Sequence, residues 1–196
     1  MTAAVELFFD FRSPYSYLAT TQLLDMDVAV SFRPIKILTV MERVGNVPTT
    51  ITCAAKGRYA RMDLARWAAR YGIVLNPSDM RANDGDSMSR AVIAAVDEDR
   101  ARVTLALYRA IWSEGKVIGS AAAALDALQA AHIDVAAVAA GIDAPETVAR
   151  LEANTDEAVQ RGVFGSPTIF VGDTMFFGND RLDFVREALE GGKRAA

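Results

Sequence analysis

Apolar and polar positions change period three times along this chain, and the changes mark its elements. Val5, Leu7 and Phe9 alternate with Glu6, Phe8 and Asp10. A period of two in a mostly apolar run predicts a strand in the middle of a sheet. Ser13-Pro14 follows. Serine is a favoured N-cap and proline a favoured first helical residue, so a helix is predicted from Pro14 to about Leu24. Val28, Val30 and Phe32 then share one face of a second strand that ends at Arg33-Pro34. Strand, helix and strand in that order make a right-handed crossover with parallel strands.

From about Met41 to Asn154 the period is helical. Leu64, Trp67, Ala68 and Tyr71 fall at i, i+3, i+4 and i+7, and Leu105, Tyr108, Ile111 and Trp112 fall on one helical face too. Gly72, Asn76-Pro77, Asn83 to Asp86, Gly115 to Gly119 and Gly141 to Pro145 interrupt the run. Roughly four to six helices and no strand are expected, with the alanine-rich stretch from Ala121 to Ala140 read as helix. The period of two returns at Thr168 to Val171, with Gly172-Asp173 as a two-residue hairpin turn and Thr174 to Phe177 as the returning strand. Gly178-Asn179-Asp180 then caps a final helix with Leu182, Val185 and Leu189 on one face, stopped by Gly191-Gly192.

The order β-α-β, helical block, β-β-α predicts an α/β protein with a four-stranded mixed sheet. Residues 1–40 and 155–196 are expected to supply the sheet domain, and residues 41–154 an all-helical insertion. The length of 196 residues, 52% hydrophobic and 23% charged, suits one domain carrying such an insertion. A net charge of −4 with a pI of about 5.1 argues against nucleic acid as the main partner, because phosphate neutralisation needs a basic face. No run of about 18 apolar residues is present, which speaks against a membrane span. The N-terminal stretch carries Glu6 and Asp10 and does not resemble a signal peptide, so a soluble, cytoplasmic protein is expected.

Absences narrow the chemistry further. Cys53 is the single cysteine and His132 the single histidine. No disulfide within the chain and no cysteine-based zinc site can form. The familiar nucleotide-binding loops, H-E-x-x-H and G-x-S-x-G are all missing. Four places could carry chemistry. As an N-cap, Ser13 stands where backbone N–H groups and the helix dipole favour an anion, although serines cap many helices and bind nothing. Thiol pKa values fall from about 8.5 to about 3.5–7.5 at such positions. Gly165-Ser166-Pro167 precedes a strand. A cis Ser166-Pro167 bond would turn the Ser166 backbone towards an extended ligand, and a trans bond would make an ordinary turn. Asn179-Asp180 either caps the last helix or meets a ligand ammonium group. Lys56, Arg58, Arg61, Arg66 and Arg70 are either a carboxylate site or a solvated helix face. Tyr15 and Tyr17 line a cleft or pack on the sheet, and His132 is read as an inert residue within the alanine-rich helix.

Taken together these segments resemble one family. Phe9-Asp10-Phe11-Arg12-Ser13-Pro14-Tyr15-Ser16-Tyr17-Leu18 is similar to the opening of the kappa-class glutathione transferases and 2-hydroxychromene-2-carboxylate isomerases. The likeness continues at Arg33-Pro34, at Gly45-Asn46 with Pro48, and at Ala55-Lys56-Gly57 with Tyr59, Asp63 and Leu64. It closes with Gly162-Val163-Phe164-Gly165-Ser166-Pro167-Thr168 and Phe177-Gly178-Asn179-Asp180-Arg181.

The resemblance implies a thioredoxin-like fold with a large helical insertion, as in the DsbA-like oxidoreductases. Those enzymes carry C-x-x-C at the helix start, where this chain reads Ser13-Pro14-Tyr15-Ser16. Exchange through two protein thiols is therefore excluded, and the resemblance implies that glutathione brings the sulfur. Ser13 would hydrogen-bond that sulfur. The Ser166 backbone, before a cis-proline, would pair with the cysteinyl part. Asn179 and Asp180 would hold the γ-glutamyl end, Lys56 the glycyl end, and Asn46 would lie near glutathione and the second substrate. The implied activity is a glutathione-dependent cis-trans isomerisation in aromatic catabolism, acting on a small aromatic carboxylate. Lys36 or an arginine of the helical block is the expected partner of that carboxylate. A transferase that conjugates electrophiles is the alternative, and a thiol-binding module without turnover the third reading. A homodimer is expected.

Overall fold

Val5–Phe9 form β1, and four of its five residues are buried. The strand is central because both its edges are used. It runs parallel to β2 (Val30–Pro34) on one side, with Leu7 opposite Phe32. On the other side it runs antiparallel to β3 (Thr168–Val171), with Leu7 opposite Ile169. Strand β4 (Thr174–Phe177) closes the hairpin after Gly172, which has a φ of +57°, and the order across the sheet is β2-β1-β3-β4. The computed structural model describes residues 5–26 and 28–194; residues 1–4 of the expected first segment lie outside them.

Helix α1 spans Pro14–Leu24, with Ser13 as its N-cap. The chain then adds α2 (Ile37–Arg43), α3 (Thr49–Thr52), α4 (Ala54–Tyr71), α5 (Gly85–Ala94), α6 (Arg100–Trp112), α7 (Ala121–Ala130), α8 (Ala136–Gly141) and α9 (Pro145–Gln160) before β3. The last helix, α10, spans Leu182–Arg194. The fold is the thioredoxin-like arrangement with an added helical block. The expected bounds at 40 and 155 fall inside α2 and α9, because the helices that leave and re-enter the sheet layer are continuous across them.

The helical block shares its core with the sheet. Phe9, Phe11 and Tyr17 pack against Tyr108 of α6, with Tyr17 and Tyr108 stacked at 5.5 Å between ring centroids. Two polar tips turn this contact into a fixed register. Tyr108 donates through its hydroxyl to the Asp10 carbonyl at 3.1 Å, and Trp112 through Nε1 to the Phe11 carbonyl at 2.9 Å. Both bonds are buried, where a lost partner costs about 1–3 kcal/mol. Helix α6 thus holds the segment that leads into Ser13. On the other face, Phe8, Ile35, Val40 and Phe170 form a smaller core under α2 and α9.

Three expectations are corrected. Eight helices rather than four to six separate β2 from β3, because α3 and α8 are too short to show an amphipathic repeat. The alanine-rich run is broken after Ala130, and His132 sits exposed in the turn with a φ of +56° rather than inside a helix. The final helix continues through Gly191-Gly192 to Arg194. Glycine lowers helix propensity by about 1 kcal/mol but stops a helix only where the chain needs a positive φ.

Candidate functional site

The centre of the site is built where the end of β1 meets the start of β3. Ser13 has extended backbone, with φ −96° and ψ 110°, and its Oγ accepts from the Ser16 N–H at 3.2 Å. The same Oγ donates to the Ser166 carbonyl at 2.9 Å. The Ser166-Pro167 bond is cis, and among the described residues the Ser166 N–H donates to no main-chain carbonyl. Ser13 and Ser166, 153 residues apart, are therefore direct neighbours.

The Ser166 side chain does different work from its backbone. Its Oγ lies 2.6 Å from Ser16 Oγ and accepts from the Asp10 N–H at 3.1 Å. Asp10 is 1% exposed. Its carboxylate accepts from the Arg12 N–H at 2.8 Å, from Arg12 Nη1 at 3.0 Å and from the Ile37 N–H at 3.0 Å. Burial pushes this carboxyl above its ordinary value, against the pull of Arg12 and the backbone donors. The carboxylate thus ties the Ser13 loop to the start of α2. Arg12 continues towards Asp86 of α5 and lies against Gly85, where an added Cβ would come within 3.1 Å of its guanidinium carbon.

Of the other predicted residues, Asn46, Asn179 and Asp180 lie beside this centre, and no hydrogen bond or ion pair ties Lys56 to it among the described residues. Asn46 donates through Nδ2 to the Phe164 carbonyl at 2.7 Å, fastening the loop after α2 to the segment that carries Ser166. Lys56 is exposed in the first turn of α4. Gly178 donates to the Pro167 carbonyl at 3.0 Å, so Asn179 and Asp180 follow directly beside the cis-proline. Asn179 is 3% exposed, and its Nδ2 has no hydrogen-bond partner among the described residues. The capping expected of Asp180 is not seen. Asn179–Arg181 form one 3₁₀ turn without a side-chain cap, and Asp180 pairs at 2.6 Å with Arg181. The adjacent guanidinium takes the carboxylate that would otherwise reach back to the helix start.

Tyr15 joins α1 to α4, donating to Asp63 at 3.0 Å. Burial and that carboxylate push its phenol well above the ordinary value, so it is a neutral donor. Tyr17 packs in the core, its hydroxyl 2.9 Å from Ser113 Oγ. Lys36 is bound to Glu152 and lies 3.6 Å from Asp86. Already held by two acids, it is not the free cation expected for a substrate carboxylate. The five basic residues of α4 are exposed, and none forms an ion pair among the described residues. Sequence reasoning missed the role of Asp10 and of the Ser16–Ser166 pair. A lone acid at the end of an apolar strand was the available signal for Asp10.

A hydroxyl N-cap on a helix start suits a thiolate. The Ser166 N–H, without a main-chain acceptor among the described residues, stands beside a carbonyl that already accepts from Ser13.

Comparison with known proteins places the chain in a family. The DSBA-like thioredoxin domain family matches residues 4–190. A 2-hydroxychromene-2-carboxylate isomerase of Pseudomonas putida is 34% identical, over 94% of this chain and 93% of that protein. The solved structure of a 2-hydroxychromene-2-carboxylate isomerase superimposes with a TM-score of 0.85 at 29% identity, covering 98% of this chain and 97% of that one. A kappa glutathione S-transferase of Caenorhabditis elegans is 28% identical over 97% of this chain and 95% of that protein.

Proposed function

The chain belongs to the DsbA-like thioredoxin family and, within it, to the family of the 2-hydroxychromene-2-carboxylate isomerases, and on that footing we propose that it is a glutathione-dependent isomerase of this type. The observation that carries the reading is the contact of Ser13 Oγ with the Ser166 carbonyl at 2.9 Å, at a helix start without any cysteine. It supports a site that receives a thiol rather than supplying one.

When bound, glutathione supplies a thiolate nucleophile for reversible addition to an unsaturated carbon conjugated to a carboxylate, so that a former double bond turns before the thiolate leaves. The chain's own residues orient and stabilise. Ser13 donates its hydroxyl proton to the sulfur, and the start of α1 adds its dipole. The Ser166 carbonyl and N–H take the cysteinyl amide and carbonyl. Asp180 faces the γ-glutamyl ammonium, Lys56 the glycyl carboxylate, and Asn46 fixes the loop beside both substrates. Asp10 and Ser16 act through Ser166 and the Ser13 loop and are positioning residues. A small aromatic carboxylate as substrate and a cytoplasmic setting complete the reading. The exposed Val47 just before α3, Ile51 of α3, and Tyr59 and Met62 of α4 support an assembly of two chains.

The similarity to kappa transferases favours a second reading, in which the same contacts serve conjugation and the adduct is released. An ultraviolet assay of 2-hydroxychromene-2-carboxylate isomerisation, with and without glutathione, separates the two. Glutathione-dependent turnover that drops about a hundredfold in Ser13→Ala supports the isomerase. Consumption of glutathione with electrophiles and no isomerisation supports the transferase.

A further inference from the structure

A groove of about 350 Å³ lies between α6 and α7, and none of its lining residues is among those assigned to the thiol site. Its sequence leaves the space open. Ala106 and Ala110 line it from α6 and Ala127 and Ala130 from α7, and four methyl groups do not fill a gap that larger apolar side chains would close. Two turns shape its ends. Gly115, with a φ of +70°, folds the chain back after α6, so that the Lys116 N–H donates to the Ala110 carbonyl at 2.9 Å and Lys116 reaches the rim. His132, with a φ of +56° that is uncommon outside glycine, turns the chain after α7. Its carbonyl accepts from Arg102 Nη2 at 3.4 Å, and Ile133, anchored by its N–H to the Leu128 carbonyl at 3.1 Å, adds an apolar wall.

The rim is cationic in a chain whose net charge is −4. Arg102, Arg109 and Lys116 line the groove against one acid, Glu114. Arg102 and Arg109 stand two turns apart on one face of α6. Arg102 pairs with Asp99 at 3.0 Å and Lys116 with Glu114 at 2.7 Å, surface pairs of a kind that contributes little. Arg109 has neither an ion pair nor a side-chain hydrogen bond among the described residues, although its neighbours in the groove supply apolar walls. Clefts of about 300–1,000 Å³ with apolar walls and a few placed polar groups take small organic ligands. An inorganic anion would answer Arg109 and leave the walls to water. A neutral apolar molecule would cover the walls and leave the guanidinium without an acceptor. A carboxylate on a small apolar body answers both.

We propose that this groove is a second binding site, for a small organic monoanion whose apolar body lies against the alanine walls and whose carboxylate meets Arg109. The site is separate from the thiol site and stands whatever reaction the thiol site performs. It is built on a helix with a task elsewhere. The same α6 carries Tyr108 and Trp112, whose side chains hold the Asp10 and Phe11 carbonyls ahead of Ser13. An occupant of the groove therefore touches the helix that fixes the Ser13 loop.

Amide NMR titration of the full chain tests it with three probes: benzoate, benzyl alcohol, which lacks the charge, and inorganic phosphate, which lacks the apolar body. The proteins are the wild type, Arg109→Gln, Ala127→Leu and Arg150→Gln. Arg150→Gln removes an exposed arginine of α9 outside the groove, and the spectra themselves show whether each variant is folded. Benzoate is expected to shift the amides of Ala106, Ala110, Ala127 and Ala130 saturably in the wild type, and to bind about tenfold more tightly than either other probe. Arg109→Gln should weaken benzoate about tenfold, the worth of one charge-assisted bond, and Arg150→Gln less than twofold. Ala127→Leu fills the groove and should abolish the saturable shifts. Should that variant fail to fold, Arg109→Gln, whose side chain is exposed, decides alone. Shifts that do not saturate, shifts confined to the residues around Ser13 and Ser166, equal binding of benzoate and phosphate or of benzoate and benzyl alcohol, or unchanged affinity in Arg109→Gln each overturn the proposal.

Discussion

Ser13 donates its only hydroxyl proton to the carbonyl of Ser166, 2.9 Å away, so the two groups proposed to meet a thiol ligand are hydrogen-bonded to each other. On the proposed reading, an incoming cysteinyl N–H competes for that carbonyl and frees the Ser13 proton for the sulfur. A thiol that lacks this N–H, such as glutathione methylated on the cysteinyl nitrogen, should therefore bind with its sulfur pKa depressed about one unit less than that of glutathione, worth ~1.4 kcal/mol. Ultraviolet titration of the bound thiolate measures it. Equal depression for both thiols would show that Ser13 is free without the exchange.

Ser166→Ala separates the two jobs of its residue. The backbone stays, so glutathione binding should change by less than about threefold, or ~0.7 kcal/mol. The lost hydroxyl leaves the Asp10 N–H and the Ser16 Oγ without their partner, and stability should fall by about 1–3 kcal/mol in urea unfolding.

Gly178 has a φ of +99°, and a Cβ there would stand 2.5 Å from Asp180 Oδ1. Gly178→Ala should cost about 1–3 kcal/mol of stability and displace the Asp180 carboxylate. Its effect on glutathione affinity should equal or exceed that of Asp180→Asn. Calorimetric titration of both variants decides this, and unchanged affinity in Gly178→Ala would remove Asp180 from the site.

Asp84 caps α5, accepting from the Asp86 N–H at 3.1 Å, the Ser87 N–H at 3.0 Å and the Ser87 hydroxyl at 2.6 Å. Partial burial raises its carboxyl, but these donors and Arg90 outweigh that and hold it below the ordinary 3.8. A depressed folded value means stability that is present above pH 3.8 and lost as the pH falls through it towards the folded value. Asp84→Ala should cost about 1 kcal/mol at neutral pH, and the difference from wild type should shrink below pH 3.8. Denaturant melts across that range read the sign.

What the sequence made legible was local. Ser13-Pro14 favours a helix start and Gly172-Asp173 a two-residue hairpin turn from their own chemistry, and both form as expected. The apolar run of β1 announced a central strand because burial on both faces removes the polar alternation. The contacts that shape the site were hidden, since Asp10, Ser16 and Ser166 meet across 150 residues or more and leave no period behind. Asp180 misled for the reverse reason. Its position near a helix start suggested a cap, while its carboxylate pairs instead with its immediate neighbour Arg181. The break after Ala130 follows from His132 entering the left-handed region, which composition alone does not reveal.

The sheet order also bears on how the newborn chain matures. β1 lies between β2, made soon after it, and β3, made only after the helical block. Until that last stretch leaves the ribosome, one edge of the central strand waits unpaired, and the residues from Ser166 to Asp180 do not exist to complete the cleft. A fragment cut before β3 can keep Ser13 at the head of its helix, yet it has nothing to grip a tripeptide with. On the proposed reading, glutathione would bridge the segment of Ser13 and that of Ser166 to Asp180, and would stabilise only a chain that has made both.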